Sequence, residues 1–181
     1  MTSVAIFGGS FNPPHVAHVL AVAYVLSTTE VDRVLVVPSH KHPFGKPLAP
    51  FEDRVRMCEL ALEPLPRADV SRIEASLDGL TLHTLEALKR AHPEWQLRLV
   101  MGADLLLESD KWFRFDDVRK LAPPIVLGRA GVAVAGAPAP ILPEISSTRV
   151  RELVAAHAWD DLAPLVPRRV LDHIRARRLY G

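Results

Sequence analysis

Apolar positions recur along the chain in two rhythms. Short strand-like apolar runs cover Val4–Phe7, Val34–Val37, Ala68–Ile73, Leu97–Met101 and Ile125–Leu127. Between and after them, apolar residues spaced three and four apart predict helices over His15–Ser27, Phe51–Leu62, Thr81–His92, Asp116–Leu121, Thr148–Ala156 and Pro167–Arg177. Alternating strands and helices predict an α/β fold: a Rossmann-like, doubly wound sheet, mostly parallel, with helices on both faces. Two proline-rich stretches read as loops, Pro38–Pro50 and Ala122–Pro143; in the second, Gly128–Gly131 follows a strand and Pro138, Pro140 and Pro143 punctuate the chain. Ligands of such sheets bind beyond the carboxyl ends of the strands, so the strand-to-helix turns are the places to look for chemistry.

The first such turn is the most informative. Val4–Phe7 runs into Gly8-Gly9-Ser10-Phe11-Asn12-Pro13-Pro14-His15-Val16-Ala17-His18. The glycines and a small hydroxyl residue let backbone approach a ligand closely. Pro13 and Pro14 suit a helix start rather than its interior, so a helix should open near His15. His15 and His18, three apart, should then project together from its positive end, beside free backbone N–H groups. That combination is a phosphate seat. The same His spacing can hold a metal, but no cysteine or carboxylate nearby supplies a third ligand at suitable spacing. The glycines match neither the dinucleotide G-x-G-x-x-G pattern nor the P-loop.

Two later turns add to the picture. Leu97–Met101 opens into Gly102-Ala103-Asp104, where Gly102 makes room and Asp104 can either cap the next helix or accept nucleotide hydroxyl protons. Ile145-Ser146-Ser147-Thr148 precedes a helix carrying Arg151 one turn in, which reads as a cap or as a second anion seat. The aromatic segment around Trp112 can stack on a planar ring or belong to a hydrophobic cluster under a loop. The basic run from Arg168 to Arg178 reads as a solvated helix face.

Composition narrows the options. The 181 residues fit one domain, 1–181, with a helical C-terminal part from about residue 147 packed on it. With 49% apolar and 24% charged residues and a net charge of +1, a broad nucleic-acid footprint is not expected, though a local anion pocket is compatible. Cys58 has no intramolecular disulfide partner, reads as a core residue and suits a reducing compartment. The most apolar helix, near 16–26, is too short to span a bilayer comfortably and holds His18. These features predict a cytoplasmic protein without nucleic-acid or membrane partners; oligomeric state has no sequence signal.

Taken in order, Gly8–His18, Gly102-Ala103-Asp104 with Lys111-Trp112-Phe113, and Ile145–Thr148 with Arg151 resemble the motifs of bacterial nicotinate-nucleotide adenylyltransferases, members of a nucleotidyltransferase superfamily with an H-x-G-H-type signature. The closing Leu165-Val166-Pro167…Leu179-Tyr180 is similar too, so the resemblance spans nearly the whole chain. Asn12 replaces the family's Asp and Ala17 its Gly. Pro43-Phe44-Gly45-Lys46 stands where P-P-H-K is common, and Leu80 where the stretch S-Y-T-x-x-T-L has Tyr. The resemblance implies adenylyl transfer between ATP and nicotinate mononucleotide, with Mg²⁺ carried on the ATP. It assigns catalysis to His15, His18 and Arg151. It assigns ATP binding to Gly8, Gly9, Ser10, Phe11, Lys46, Gly102, Asp104, Ser146, Ser147 and Thr148 as well, and acceptor binding to Thr84, Trp112 and Arg129; no residue is assigned as a metal ligand. An enzyme of this fold acting on nicotinamide mononucleotide or phosphopantetheine, or a non-catalytic nucleotide-binding regulator, are the alternatives.

Overall fold

Val4, Ala5 and Ile6 are almost inaccessible to solvent, because the strand that carries them is flanked by neighbours on both edges and helices on both faces. The computed structural model describes residues 1–41, 47–106, 112–130 and 138–181. Among these, six strands form one sheet: β1 (Thr2–Gly9), β2 (Arg33–Pro38), β3 (Ala68–Val70), β4 (Trp95–Gly102), β5 (Pro124–Arg129) and β6 (Pro140–Leu142), in the order β3-β2-β1-β4-β5-β6. Every neighbouring pair is parallel. The helices are α1 (Val16–Thr28), α2 (Phe51–Leu62), α3 (Thr81–Ala91), α4 (Ala103–Leu106), α5 (Phe115–Leu121), α6 (Ser147–Ala155), α7 (Trp159–Leu162) and α8 (Arg168–Arg177). The strand order reverses between β1 and β4, so their carboxyl ends open the crevice where doubly wound sheets bind ligands.

Three apolar clusters hold the layers together. On one face Val22 and Val25 of α1 and Leu62 of α2 pack on Ala5, Val34 and Val100. On the other, Leu82, Leu85 and Leu88 of α3 and Val118 of α5 pack on Val4, Ile6, Leu97 and Leu99. The third joins α6–α8 to α1 and α2 through Val150, Leu162 and Ile174 against Ala17, Met57 and Ala61. Cys58 lies buried in the first cluster, and burial pushes its thiol pKa up, so it is a core residue as expected.

Three expectations are corrected. The strand expected over Ala68–Ile73 ends at Val70; Ser71 Oγ accepts the backbone N–H of Ile73 at 3.2 Å, bending the chain into a 3₁₀ turn over Ile73–Ser76. Pro140–Leu142, expected in a loop, forms β6. Its prolines hide the strand signal, yet an edge strand paired on one side only tolerates residues without an N–H. The basic C-terminal run is not wholly solvated: His173 Nε2 and Arg177 Nε lie 2.9 and 3.0 Å from Oδ1 of buried Asp53, pinning α8 to α2. The single turn α7 carried no periodic signal.

Candidate active site

The chain after β1 turns through Phe11, which adopts a φ of 44°, and reaches α1 with His15 in the N-cap position. His15 is 5% exposed, and its ring centroid lies 3.8 Å from that of His18, so the two imidazoles do project together. His18 Nδ1 accepts the backbone N–H of His15 at 3.1 Å. The Phe11 ring stands edge-on to His18 with centroids 5.0 Å apart, and Phe7 backs Phe11 at 5.5 Å. A Cβ on Gly9 would press on the Phe11 ring at 3.1 Å, which is why that position carries no side chain.

A cavity of about 270 Å³ opens beside the two histidines. His15, His18, Gly102, Asp104, Ser146 and Ser147 all line it, so three motifs far apart in sequence share one wall. Asp104 is the second residue of α4, inside its first turn rather than in front of it, where its charge favours the helix's positive end. A Cβ on Gly102 would collide with Asp104 Oδ1, so this glycine makes room for that carboxylate. At α6, Ser146 Oγ caps the helix by accepting the N–H of Arg149 at 3.1 Å, and Ser147 Oγ donates to the Pro13 carbonyl at 2.8 Å.

A second cavity, also about 270 Å³, lies across the tips of β1 and β4 and shares Leu105 with the first. Gly8, Gly9, Ser10, Thr84 and Trp112 line it. Trp112 is half-buried, packs on the α3–α5 cluster and stands edge-on to Phe115 at 5.5 Å, so it belongs to a hydrophobic cluster and lines this cavity as well. The backbone turn Gly8–Ser10 therefore borders the Trp112 side, while the histidines border the Asp104 side.

Other expected residues fall outside both walls. Phe11 is buried behind His18. Arg151 donates to the Asn12 carbonyl at 2.8 Å and to Thr148 Oγ1 at 3.2 Å, so it ties the signature turn to the first turn of α6. Lys46 lies outside the described residues, as does Lys111; Arg129 closes β5, but its side chain is not among those described. Among the described residues, no three His, Cys, Asp or Glu side chains cluster as metal ligands, and no helix is long and apolar enough to cross a membrane.

Several contributors were not legible in advance. Arg54, 1% exposed, donates to the carbonyls of Ser10 and Ser39 at 2.8 Å each and to Ala49 at 2.9 Å, joining the ends of β1 and β2. The available signal was register: Arg54 precedes Met57 and Cys58 by three and four, on the buried stripe of α2. Asn12 Oδ1 accepts from Tyr180 Oη at 2.9 Å and from Ala49 N–H at 3.0 Å, while Nδ2 donates to the Pro47 carbonyl at 3.3 Å. An Asp in its place could not make the last of these bonds.

Comparisons with known proteins agree with this geometry. The model of a family described as cytidylyltransferase-like matches residues 6–153. A protein of Anaeromyxobacter dehalogenans (strain 2CP-C) is 49% identical over 98% of this chain and 96% of its own length, and one of Myxococcus xanthus is 41% identical over 98% and 94%; both are named "Probable nicotinate-nucleotide adenylyltransferase". The chain belongs to this family. It is a nucleotidyltransferase, which removes the non-catalytic regulator from consideration. The structure of Plasmodium falciparum nicotinic acid mononucleotide adenylyltransferase complexed with NaAD superposes with a TM-score of 0.86, covering 99% of this chain and 98% of that one at 19% identity. At that identity the likeness speaks for the shared fold, and the Rossmann-like, doubly wound architecture expected from the alternating elements is borne out, with an all-parallel sheet.

Proposed function

We propose that this chain, as one domain spanning residues 1–181, transfers the adenylyl group of ATP to nicotinate mononucleotide, giving deamido-NAD and pyrophosphate. One observation carries the reading: the single turn Gly8–His18 supplies walls to two neighbouring cavities, so a donor in one and an acceptor in the other meet at the same backbone. The relatives' name points the same way.

In this reading the acceptor's phosphate oxygen forms a bond to the α-phosphorus as the bond to the β-phosphate oxygen breaks, and the electron pair leaves with pyrophosphate. The attacking oxygen is already anionic, so no strong base is needed, and rate comes from alignment and charge stabilisation. His18, with Nδ1 accepting from backbone, offers Nε2–H to a phosphoryl oxygen. His15, Ser146, Ser147 and the open N–H groups of α6 meet the leaving phosphates. Arg151, bonded to Thr148 Oγ1, holds the Asn12 carbonyl and adds positive potential, with Lys46 and Arg129 as further cations for the phosphates and the acceptor. Asp104 borders the nucleoside, and Trp112 and Thr84 seat the pyridine ring.

Mg²⁺ carried with ATP supplies further charge neutralisation. Asp104, the one carboxylate among the described residues of the nucleotide cavity, suits an ion that keeps most of its waters and takes few protein ligands. Buried, unpaired Cys58 fits work in the reducing cytoplasm.

Pyrophosphate release from ATP, measured with nicotinate mononucleotide, nicotinamide mononucleotide and phosphopantetheine as acceptors, tests the reading. Preference for the first is expected. Preference for either of the others would overturn the substrate assignment.

A further inference from the structure

Glu74 and Ser39 leave two shielded polar atoms on the wall of the cavity that holds Trp112. Glu74 is 3% exposed, and its Oε1 accepts the Thr84 hydroxyl. Its Oε2 has no hydrogen-bond partner among the described residues, and neither does Ser39 Oγ. Both residues line the same cavity. Native proteins match nearly all such atoms, so these two ask for a partner beyond the described residues. Gly79 sits beside them with φ of 87°, a left-handed conformation that favours glycine, and a Cβ there would lie 3.9 Å from Oε2. Ser39 is fixed in turn, its N–H donating to the Gly9 carbonyl at 2.9 Å.

We propose that Glu74 Oε2 and Ser39 Oγ bind the ribose hydroxyls of the acceptor nucleotide. The inference rests on the acceptor assignment above and follows from hydrogen-bond chemistry. A carboxylate only accepts, so it selects a donor. Glu74 is the one charged side chain among the described residues of this wall. It would repel both the phosphate and the ring carboxylate of nicotinate mononucleotide. The hydroxyls of the sugar are the remaining donors on that molecule. With the ring against Trp112 and the phosphate towards Gly9 and Ser10, the ribose spans the distance between them and passes Glu74 and Ser39.

The test pairs enzyme variants with acceptor variants. Wild type, Glu74→Gln and Ser39→Ala are each assayed with nicotinate mononucleotide and with its 2′,3′-dideoxy analogue. Removing the hydroxyls should raise the wild-type acceptor KM by about 10- to 100-fold. Glu74→Gln should raise KM for the natural acceptor by about 10-fold and leave KM for ATP unchanged, and Ser39→Ala should do the same more weakly. With the dideoxy analogue, all three proteins should converge. Equal losses on both acceptors would mean that Glu74 only positions Thr84, and the proposal would be wrong. A loss confined to nicotinamide mononucleotide would assign Glu74 to the ring instead, again overturning it. Ser39→Ala leaves the Glu74–Thr84 pair intact, so it decides the matter even if Glu74→Gln fails to fold. If wild type releases no pyrophosphate with nicotinate mononucleotide, the acceptor assignment fails and this inference with it; if wild type works and the variants match it, the inference alone fails.

Discussion

His18 takes the backbone N–H of His15 on its Nδ1, at 3.1 Å. A nitrogen that accepts carries no proton, so the ring's hydrogen sits on Nε2. The Phe11 ring at 5.0 Å holds the imidazole against rotation. Orientation and tautomer are therefore set before substrate arrives, which is the condition under which a donor stabilises a transition state most.

Replacing His18 by Ala removes that donor. Turnover should fall by about 10²–10³-fold, with substrate KM values changed far less. Steady-state kinetics of the purified variant checks this, and near-normal kcat would take His18 out of the chemistry.

Trp112 stands in the other cavity, half-buried and braced by Phe115. Stacking of a planar ring on an aromatic face is worth about 1–3 kcal/mol. Trp112→Ala should therefore raise the acceptor KM by about 5- to 100-fold while KM for ATP stays put. An acceptor KM equal to wild type would make this residue a packing element only.

How far the site could be read from sequence depended on where each residue's partners lie. His15, His18, Gly102, Asp104, Ser146 and Ser147 all sit at strand-to-helix turns, and parallel α/β topology gathers such turns at one edge of the sheet. Phe51–Leu62 was legible to its ends because Pro50 precedes it and its apolar stripe is regular. Glu74 and Arg54 were not, since both are charged residues whose burial depends on distant segments: Thr84 for one, Ser10 and Ser39 for the other. Asn12 looked like a mild change from the family pattern. Its partners, Pro47, Ala49 and Tyr180, show it joining the signature turn to the chain's last residues. The edge strand β6 escaped because prolines mask strand character, and spacing alone could not show that Arg151 bonds the Asn12 carbonyl.

Asp53 gives the fold an acid-sensitive contact. Its hydrogen bonds from Arg177, then from His173, hold the carboxyl pKa below the usual range against the opposing effect of burial. A depressed carboxyl contributes stability above its unfolded pKa of about 3.9 and loses it as pH falls through the lower folded value. Asp53→Asn should therefore cost about 1–3 kcal/mol at pH 7. In urea denaturation the gap between variant and wild type should close as pH drops below about 4. A gap independent of pH would mean the effect is one of packing.

The central claim is that polyphosphate sits where β1 hands over to α1, facing the start of α6. Diffraction from crystals soaked with a non-hydrolysable ATP analogue tests it most directly. The triphosphate should lie against the His15 and His18 rings and the N-terminus of α6, with the adenosine towards Gly102 and Asp104. Density for it on the Trp112 side of β1, or away from both histidines, would contradict the account.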